Sequence, residues 1–186
     1  MTTASATHMT AVIIGGGPAG LMAAEALALA GVQVDLFDGM PSVGRKFLLA
    51  GVGGMNITHA EAQQAFLDRY AERRRQLEPM LNAFGAKQLR EWVHGLGIDT
   101  FVGSSGRVFP ADMKAVPLLR AWLKRLREHG VTIHTRQRWL GWSTDGGLRI
   151  ASASGEQIIR ADAVLLALGG GSWARLGSDG TWMPLL

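Results

Sequence analysis

Glycines at 15, 17 and 20, with Pro18 and Ala19 between the last two, form a Gly-x-Gly-x-x-Gly turn. The apolar run Val12-Ile13-Ile14 enters this turn, and an Ala/Leu-rich segment from Leu21 to Ala30 leaves it. A turn of this composition between a strand and a helix cradles the pyrophosphate of a dinucleotide. Gly15 permits a tight bend, Gly17 lets the backbone approach a phosphate, and Gly20 lets the helix pack closely on the strand. Pro18 suits the first helical turn, where its missing N–H removes no hydrogen bond. The free N–H groups of the helix start, with their partial positive charge, then face an anion. Asp38 follows the glycines by about 20 residues, where a carboxylate can accept from both hydroxyls of an adenosine ribose. Asp35 is the competing acid, but it lies before the end of its strand. A Gly-rich turn with no ligand does not account for the placement of Asp38.

The elements that must position these residues are legible in the pattern. Gly31 ends the first helix, and Val32 to Phe37 reads as a second strand. Gly39 to Asn56 is Gly-rich, carries Arg45 and Lys46, and reads as a functional loop. Thr58 and Glu61 fit a reciprocal capping box, predicting a helix from there to about Gln76, before Pro79. A further helix is predicted over about Ala86 to His94, with Leu89, Trp92, Val93 and Leu96 at helical spacing and Gly97 beyond. Phe101 to Pro110 reads as a loop or short hairpin. Asp112 is placed to cap a helix over Met113 to Glu128, and Val131 to Thr135 alternates as a strand.

Three short strands are expected next: Arg138 to Trp142, Leu148 to Ser152, and Gln157 to Arg160. Turn signals at Asp145-Gly146-Gly147 and Ser154-Gly155 join them into an antiparallel meander. The run Ala163 to Leu168 suits a buried parallel strand and leads directly into Gly169-Gly170-Gly171. The fold class is therefore α/β: a Rossmann-like parallel sheet with an antiparallel β-meander crossover and inserted helices. Residues 1–10 read as a disordered lead-in. Residues 11–186 read as one nucleotide-binding domain with a helical insertion at about 58–97.

Composition narrows the chemistry. The chain of 186 residues has no cysteine, which excludes disulfides, thiolate metal sites and a thioether link to a cofactor. No apolar run is long enough to span a membrane, and no secretory signal precedes the domain, so a cytoplasmic setting is the expectation. The net charge of +4 comes mostly from arginines. Two clusters, Arg69/Arg73/Arg74/Arg75 and Arg120/Lys124/Arg125/Arg127, read as solvated helix faces. With no reading motif and no interleaved aromatics, nucleic acid is not expected as a partner. The partner expected is a small-molecule substrate, and the oligomeric state is left open. The histidines at 8, 59, 94, 129 and 134 lack metal-ligand spacing, so no metal site is expected.

Several stretches, in order along the chain, carry a family resemblance. They are Gly44-Arg45-Lys46-Phe47-Leu48, Gly51 to Thr58, Gly106-Arg107-Val108-Phe109-Pro110 and Ala167 to Trp173. With the glycine turn and the meander, the chain resembles the glutathione-reductase-type FAD fold. Within it, the chain resembles the BaiN-like family of NAD(P)/FAD-dependent oxidoreductases, which includes aminoacetone oxidase family FAD-binding enzymes. The resemblance implies an FAD-dependent oxidoreductase working by two-electron (hydride) transfer through a non-covalently bound flavin. A reduced substrate or NAD(P)H would be the electron donor. It implies cofactor contacts at Gly15, Gly17, Pro18, Ala19, Gly20, Asp38, Gly39, Arg45, Lys46, Asn56, Gly169 and Gly170; no catalytic acid or base is assigned. Arg107 reads as an arginine tying down its loop or as an approach to substrate. Trp173, directly after the glycines, is a candidate ligand neighbour.

Two departures stand out. Gly54-Met55-Asn56 replaces the Arg-Cys-Asn of many members, and Leu168 replaces the threonine of their Ala-Thr-Gly-Gly turn. The resemblance also implies further segments after the glycines, so the chain reads as an N-terminal piece. Two alternatives remain: a truncated flavoprotein that binds FAD weakly without turnover, and an NAD-binding dehydrogenase.

Overall fold

A computed structural model of the chain describes residues 9–186. The lead-in expected over 1–10 falls mostly outside the described residues, as does His8, while Thr10 already opens the first strand. In order, the elements are β1 (Thr10–Ile14), α1 (Pro18–Leu29), β2 (Gln33–Asp38), α2 (Arg45–Ala50), β3 (Thr58–His59), α3 (Gln63–Asp68), α4 (Arg74–Ala83) and α5 (Ala86–Gly95). They continue with β4 (Thr100–Val102), β5 (Arg107–Pro110), α6 (Ala115–Glu128), β6 (Thr132–Thr135), β7 (Arg138–Trp142), β8 (Leu148–Ser152), β9 (Gly155–Ile159) and β10 (Ala163–Leu166). Short 3-10 turns lie at Ala71–Arg73, Ala174–Leu176 and Met183–Leu185. The chain divides into two compact units, one of Met1–Phe47 with Lys124–Leu186 and the other of Leu48–Leu123.

The first unit holds a parallel sheet in the order β10-β1-β2-β6 and an antiparallel sheet in the order β7-β8-β9. The β-branched run of β1 places Val12, Ile13 and Ile14 in the core, each with at most 4% of its surface exposed. Burial of side chains of this size contributes about 1.5–3 kcal/mol each. Val12, Ile14 and Phe37 form one cluster with Trp139, Leu148 and Ile150 of the meander. Helix α1 packs through Leu21 and Ala24, and buries Glu25 in an ion pair with Arg125 at 2.8 Å. The strand expected at Val32 to Phe37 lies one residue later, so Asp38 is its last member. Strand β10 pairs with β1 alone among the described residues and is only half covered, with Leu165 exposed. The expectation of a fully buried strand fails because β10 is an edge of the sheet.

The second unit holds an antiparallel sheet in the order β3-β5-β4 with helices α3, α4 and α5. Phe101 stacks on Phe109 across the hairpin, and Trp92 meets Trp122 edge-on at 4.8 Å. The capping box at Thr58 is not formed. Thr58 pairs with Val108 in the sheet, and the Glu61 carboxylate binds Arg69 instead of the backbone. The single helix expected to Gln76 is broken near Ala71, which takes a positive φ of 44°. A new helix, α4, then runs through Pro79. Asp112 accepts from the Lys114 N–H at 3.0 Å, but Met113 has φ of 60°, so α6 starts later, at Ala115. The Gly-rich stretch expected as a loop contains α2.

Candidate functional site

A cavity of about 410 Å3 opens in the first unit where the ends of β1, β2 and β10 meet the start of α1. Its floor is the glycine turn. The Gly15 N–H donates to the Phe37 carbonyl at 2.8 Å, and Gly15 takes φ of 111°. A Cβ there would lie 2.3 Å from the Ala167 carbonyl oxygen. A Cβ on Gly20 would lie 1.9 Å from the Gly15 carbonyl oxygen, so only glycine lets α1 come this close to the strand end. A Cβ on Gly17 would meet nothing within 4 Å. Gly17 thus leaves the front of the turn open, and no side chain caps α1 there. An uncapped helix start facing a cavity, with Pro18 and Ala19 on the wall, suits an anion.

Asp38 braces this turn from the next strand. Its Oδ2 accepts from the Gly16 N–H at 2.7 Å and its Oδ1 from the Met40 N–H at 2.8 Å. A carboxylate has about four acceptor positions, so each oxygen can still take a hydroxyl from the cavity. Arg45 and Lys46 bring positive charge to the same wall. The Arg45 Nε is buried without a partner, while Lys46 Nζ donates to Ser178 Oγ at 2.9 Å. The cavity therefore offers backbone donors and two cations for an anionic group, beside a carboxylate for neutral hydroxyls. That donor set fits a pyrophosphate joined to a ribose.

A second cavity of about 290 Å3 adjoins the first and shares Gly15, Asp38 and Met40 with it. Gly39, Gln137, Arg138, Trp139 and Trp182 line it, along with Asp179. The side-chain hydroxyl and backbone N–H of Thr181 bond the Asp179 carboxylate and hold its pKa below the ordinary aspartate range. The indole N–H groups of Trp139 and Trp182 are buried without acceptors. Asp38 stands between a charged chamber and an aromatic one.

Of the expected contacts, Gly15, Gly17, Pro18, Ala19, Asp38, Arg45, Lys46 and Gly169 line the first cavity. Gly39 lines the second. Gly20 supports the turn from behind, and the Gly170 carbonyl accepts from Ser178 Oγ. Asn56 lies in the second unit, where its amide donates to the Thr58 and Val108 carbonyls. Trp173 is exposed and lines neither cavity; Trp182 lines both. Arg107 sits in β5 opposite His59. Asp35 binds His134 at 2.6 Å on the neighbouring strand, away from the glycines. Arg69 and Arg74 of the first basic cluster, and Lys124 and Arg125 of the second, pair with carboxylates.

Sequence reasoning did not single out Gly16, Met40, Ser178 or Trp182. Gly16 is crowded like Gly15, since a Cβ there would lie 2.3 Å from Val43 Cγ1. Nothing in the local pattern marks Ser178; only tertiary structure brings it to Lys46. Among the described residues no cluster of His, Asp or Glu is arranged to hold a metal, and no helix is long and apolar enough to cross a membrane.

The fold is shared with solved proteins. Thermovibrio ammonificans THI4 aligns with a TM-score of 0.55 at 21% identity, covering 87% of this chain and 58% of that one. The 3-ketosteroid-delta4-(5alpha)-dehydrogenase of Rhodococcus jostii RHA1 aligns with a TM-score of 0.64 at 15% identity, covering 90% of this chain and 47% of that one. A curated relative, the ribosomal RNA dihydrouridine synthase of Haemophilus influenzae, is 44% identical over 54 residues, which are 29% of this chain and 14% of the relative. This chain thus spans about half the length of the solved proteins, and its match to the curated relative is shorter still. The HI0933-like protein Rossmann domain matches residues 9–186.

Proposed function

From its membership of the HI0933-like Rossmann-domain family, we propose that this chain is the FAD-binding part of a two-electron oxidoreductase. The observation that carries this reading is one cavity joining an uncapped helix start, two cations and the Asp38 carboxylate. Bound FAD would supply a two-electron carrier that accepts and returns a hydride equivalent. The protein's part is to bind and orient. The N–H groups at the start of α1 take the pyrophosphate, with Arg45 and Lys46 offsetting its charge. Asp38 takes the ribose hydroxyls, and Gly169 lies along the same wall. FAD is held non-covalently in this reading, and a reduced substrate or NAD(P)H is the electron donor.

The test is the spectrum of the purified protein and the identity of the nucleotide it releases on denaturation. Yellow protein releasing FAD supports the proposal. Colourless protein that binds NAD but rejects FAD overturns it in favour of an NAD-dependent dehydrogenase.

The name of the Haemophilus influenzae relative favours one substrate reading beyond a free small molecule. Conversion of uridine to dihydrouridine consumes two electrons and two protons across one double bond, the redox class proposed above. Under this reading the protein reduces a uridine in ribosomal RNA, in place of the expectation that nucleic acid is no partner. RNA from cells with and without the protein distinguishes them by the mass gain of two hydrogens on one uridine.

A further inference from the structure

Ser178 is one of two buried polar or charged side chains among the described residues, at 3% exposure. Its hydroxyl uses both of its capacities. It accepts from Lys46 Nζ at 2.9 Å and donates to the Gly170 carbonyl. It therefore joins two walls of the cavity that lie 132 residues apart in sequence. The segment that presents it is itself braced. Trp173 and Ser178 exchange backbone hydrogen bonds at 3.1 Å around the Ala174–Leu176 turn. Gly177 sits against Met40, whose N–H is held by Asp38. The hydroxyl is thus fixed relative to the same carboxylate that braces the glycine turn.

A lysine side chain has four rotatable bonds, and an exposed ammonium ranges widely. Here Lys46 Nζ is held where a Cβ on Gly169 would lie 3.6 Å from it. One of its three N–H groups is used by Ser178, and Lys46 also lines the cavity.

We propose that Ser178 is a positioning residue: it holds the Lys46 ammonium beside the Gly169–Gly170 turn so that the charge meets the pyrophosphate of a bound nucleotide. The inference rests on the dinucleotide reading above. Ser178 itself touches no phosphate; it acts through Lys46.

ADP and adenosine are the probes, titrated by calorimetry into the chain and into Ser178→Ala, Lys46→Met and the double variant. A hydrogen bond to a charged group is stronger than a neutral one, so Ser178→Ala is expected to weaken ADP binding about tenfold. Adenosine, which carries no phosphate, is expected to bind all four proteins equally. The double variant is expected to bind ADP no worse than Lys46→Met alone, because the hydroxyl has nothing left to position. Ser178→Cys keeps the shape with a poor hydrogen-bonding atom, and is expected to match Ser178→Ala if the alanine variant does not fold. Equal loss of ADP and adenosine would assign Ser178 a purely structural role and overturn the proposal. So would additive losses in the double variant, or ADP binding unchanged in Ser178→Ala or Ser178→Cys. If the unsubstituted chain binds neither ADP nor FAD, the dinucleotide reading itself falls, and that result is distinct from a failure confined to the Ser178 variants.

Discussion

The carboxylate of Asp38 holds the backbone N–H of Gly16 at 2.7 Å, across 22 residues of sequence. The acid at the end of the second strand thus shapes the glycine turn before any ligand arrives. Asp38→Asn leaves one oxygen and puts an amide group against a backbone donor. It is expected to lower stability by about 1–3 kcal/mol and to weaken ADP binding by roughly tenfold. Thermal unfolding and ADP titration check the two effects separately.

Two glycines of the turn should separate folding from binding. Gly20→Ala places a carbon 1.9 Å from the Gly15 carbonyl oxygen, so α1 must move. The expected loss is about 1–3 kcal/mol or more, seen as a lowered Tm. Gly17→Ala meets nothing within 4 Å and should keep its Tm. Its methyl group instead stands where the phosphate must come, so ADP affinity should fall by roughly tenfold or more. A fall in Tm for Gly17→Ala would contradict this division.

Asp162 provides a pH signature. The Thr10 backbone N–H and side-chain hydroxyl both donate to its Oδ2 at 2.8 Å, which lowers its pKa from 3.8. A carboxylate depressed in the folded state contributes stability above its unfolded value and loses it as the pH falls through the folded value. The advantage of the unsubstituted chain over Asp162→Asn should therefore be complete at neutral pH and shrink below pH 3.8. Chemical denaturation at a series of pH values measures it. A difference that persists unchanged into strong acid would remove Asp162 from this role.

Trp182 places an indole N–H in a buried position with no acceptor. An unmet buried donor costs about 1–3 kcal/mol, so Trp182→Phe should hold or raise the Tm while keeping most of the apolar contact. Because Trp182 lines both cavities, the substitution should also remove part of the change in tryptophan emission on ADP binding. Steady-state fluorescence during titration checks this second point.

Much of the lining of the candidate cavity was legible because its signals are local. The glycine spacing, the strand before it and Asp38 at the end of the next strand lie within one contiguous segment, and backbone sterics dictate their types. The meander was legible from its alternation and turn residues. What the local pattern did not show depends on how each residue is placed in the fold. Thr58 and Glu61 have the composition of a capping box, but pairing of Thr58 with Val108 outcompetes it. Asn56 has the type of a ligand contact, yet its amide is taken by two carbonyls. Ser178 is a small polar residue whose importance comes from Lys46, far away in the chain. Trp173 and Trp182 look alike in sequence, and only the turn between them decides which faces the cavity.

The pairing of β1 with β10 has a kinetic consequence. Ala11 lies opposite Ala163 and Ile14 opposite Leu166, and the Thr10–Asp162 bonds close a loop of 152 residues. Pairing at such separation is slow to form. The Gly15 backbone is pressed against Ala167, which arrives only with that last strand. During synthesis the glycines therefore emerge well before the back wall of their cradle, which comes only with β10. A ribosome-bound chain ending before Ala163 carries the motif without its back wall, so on the proposed reading nucleotide capture should begin only after β10 has docked.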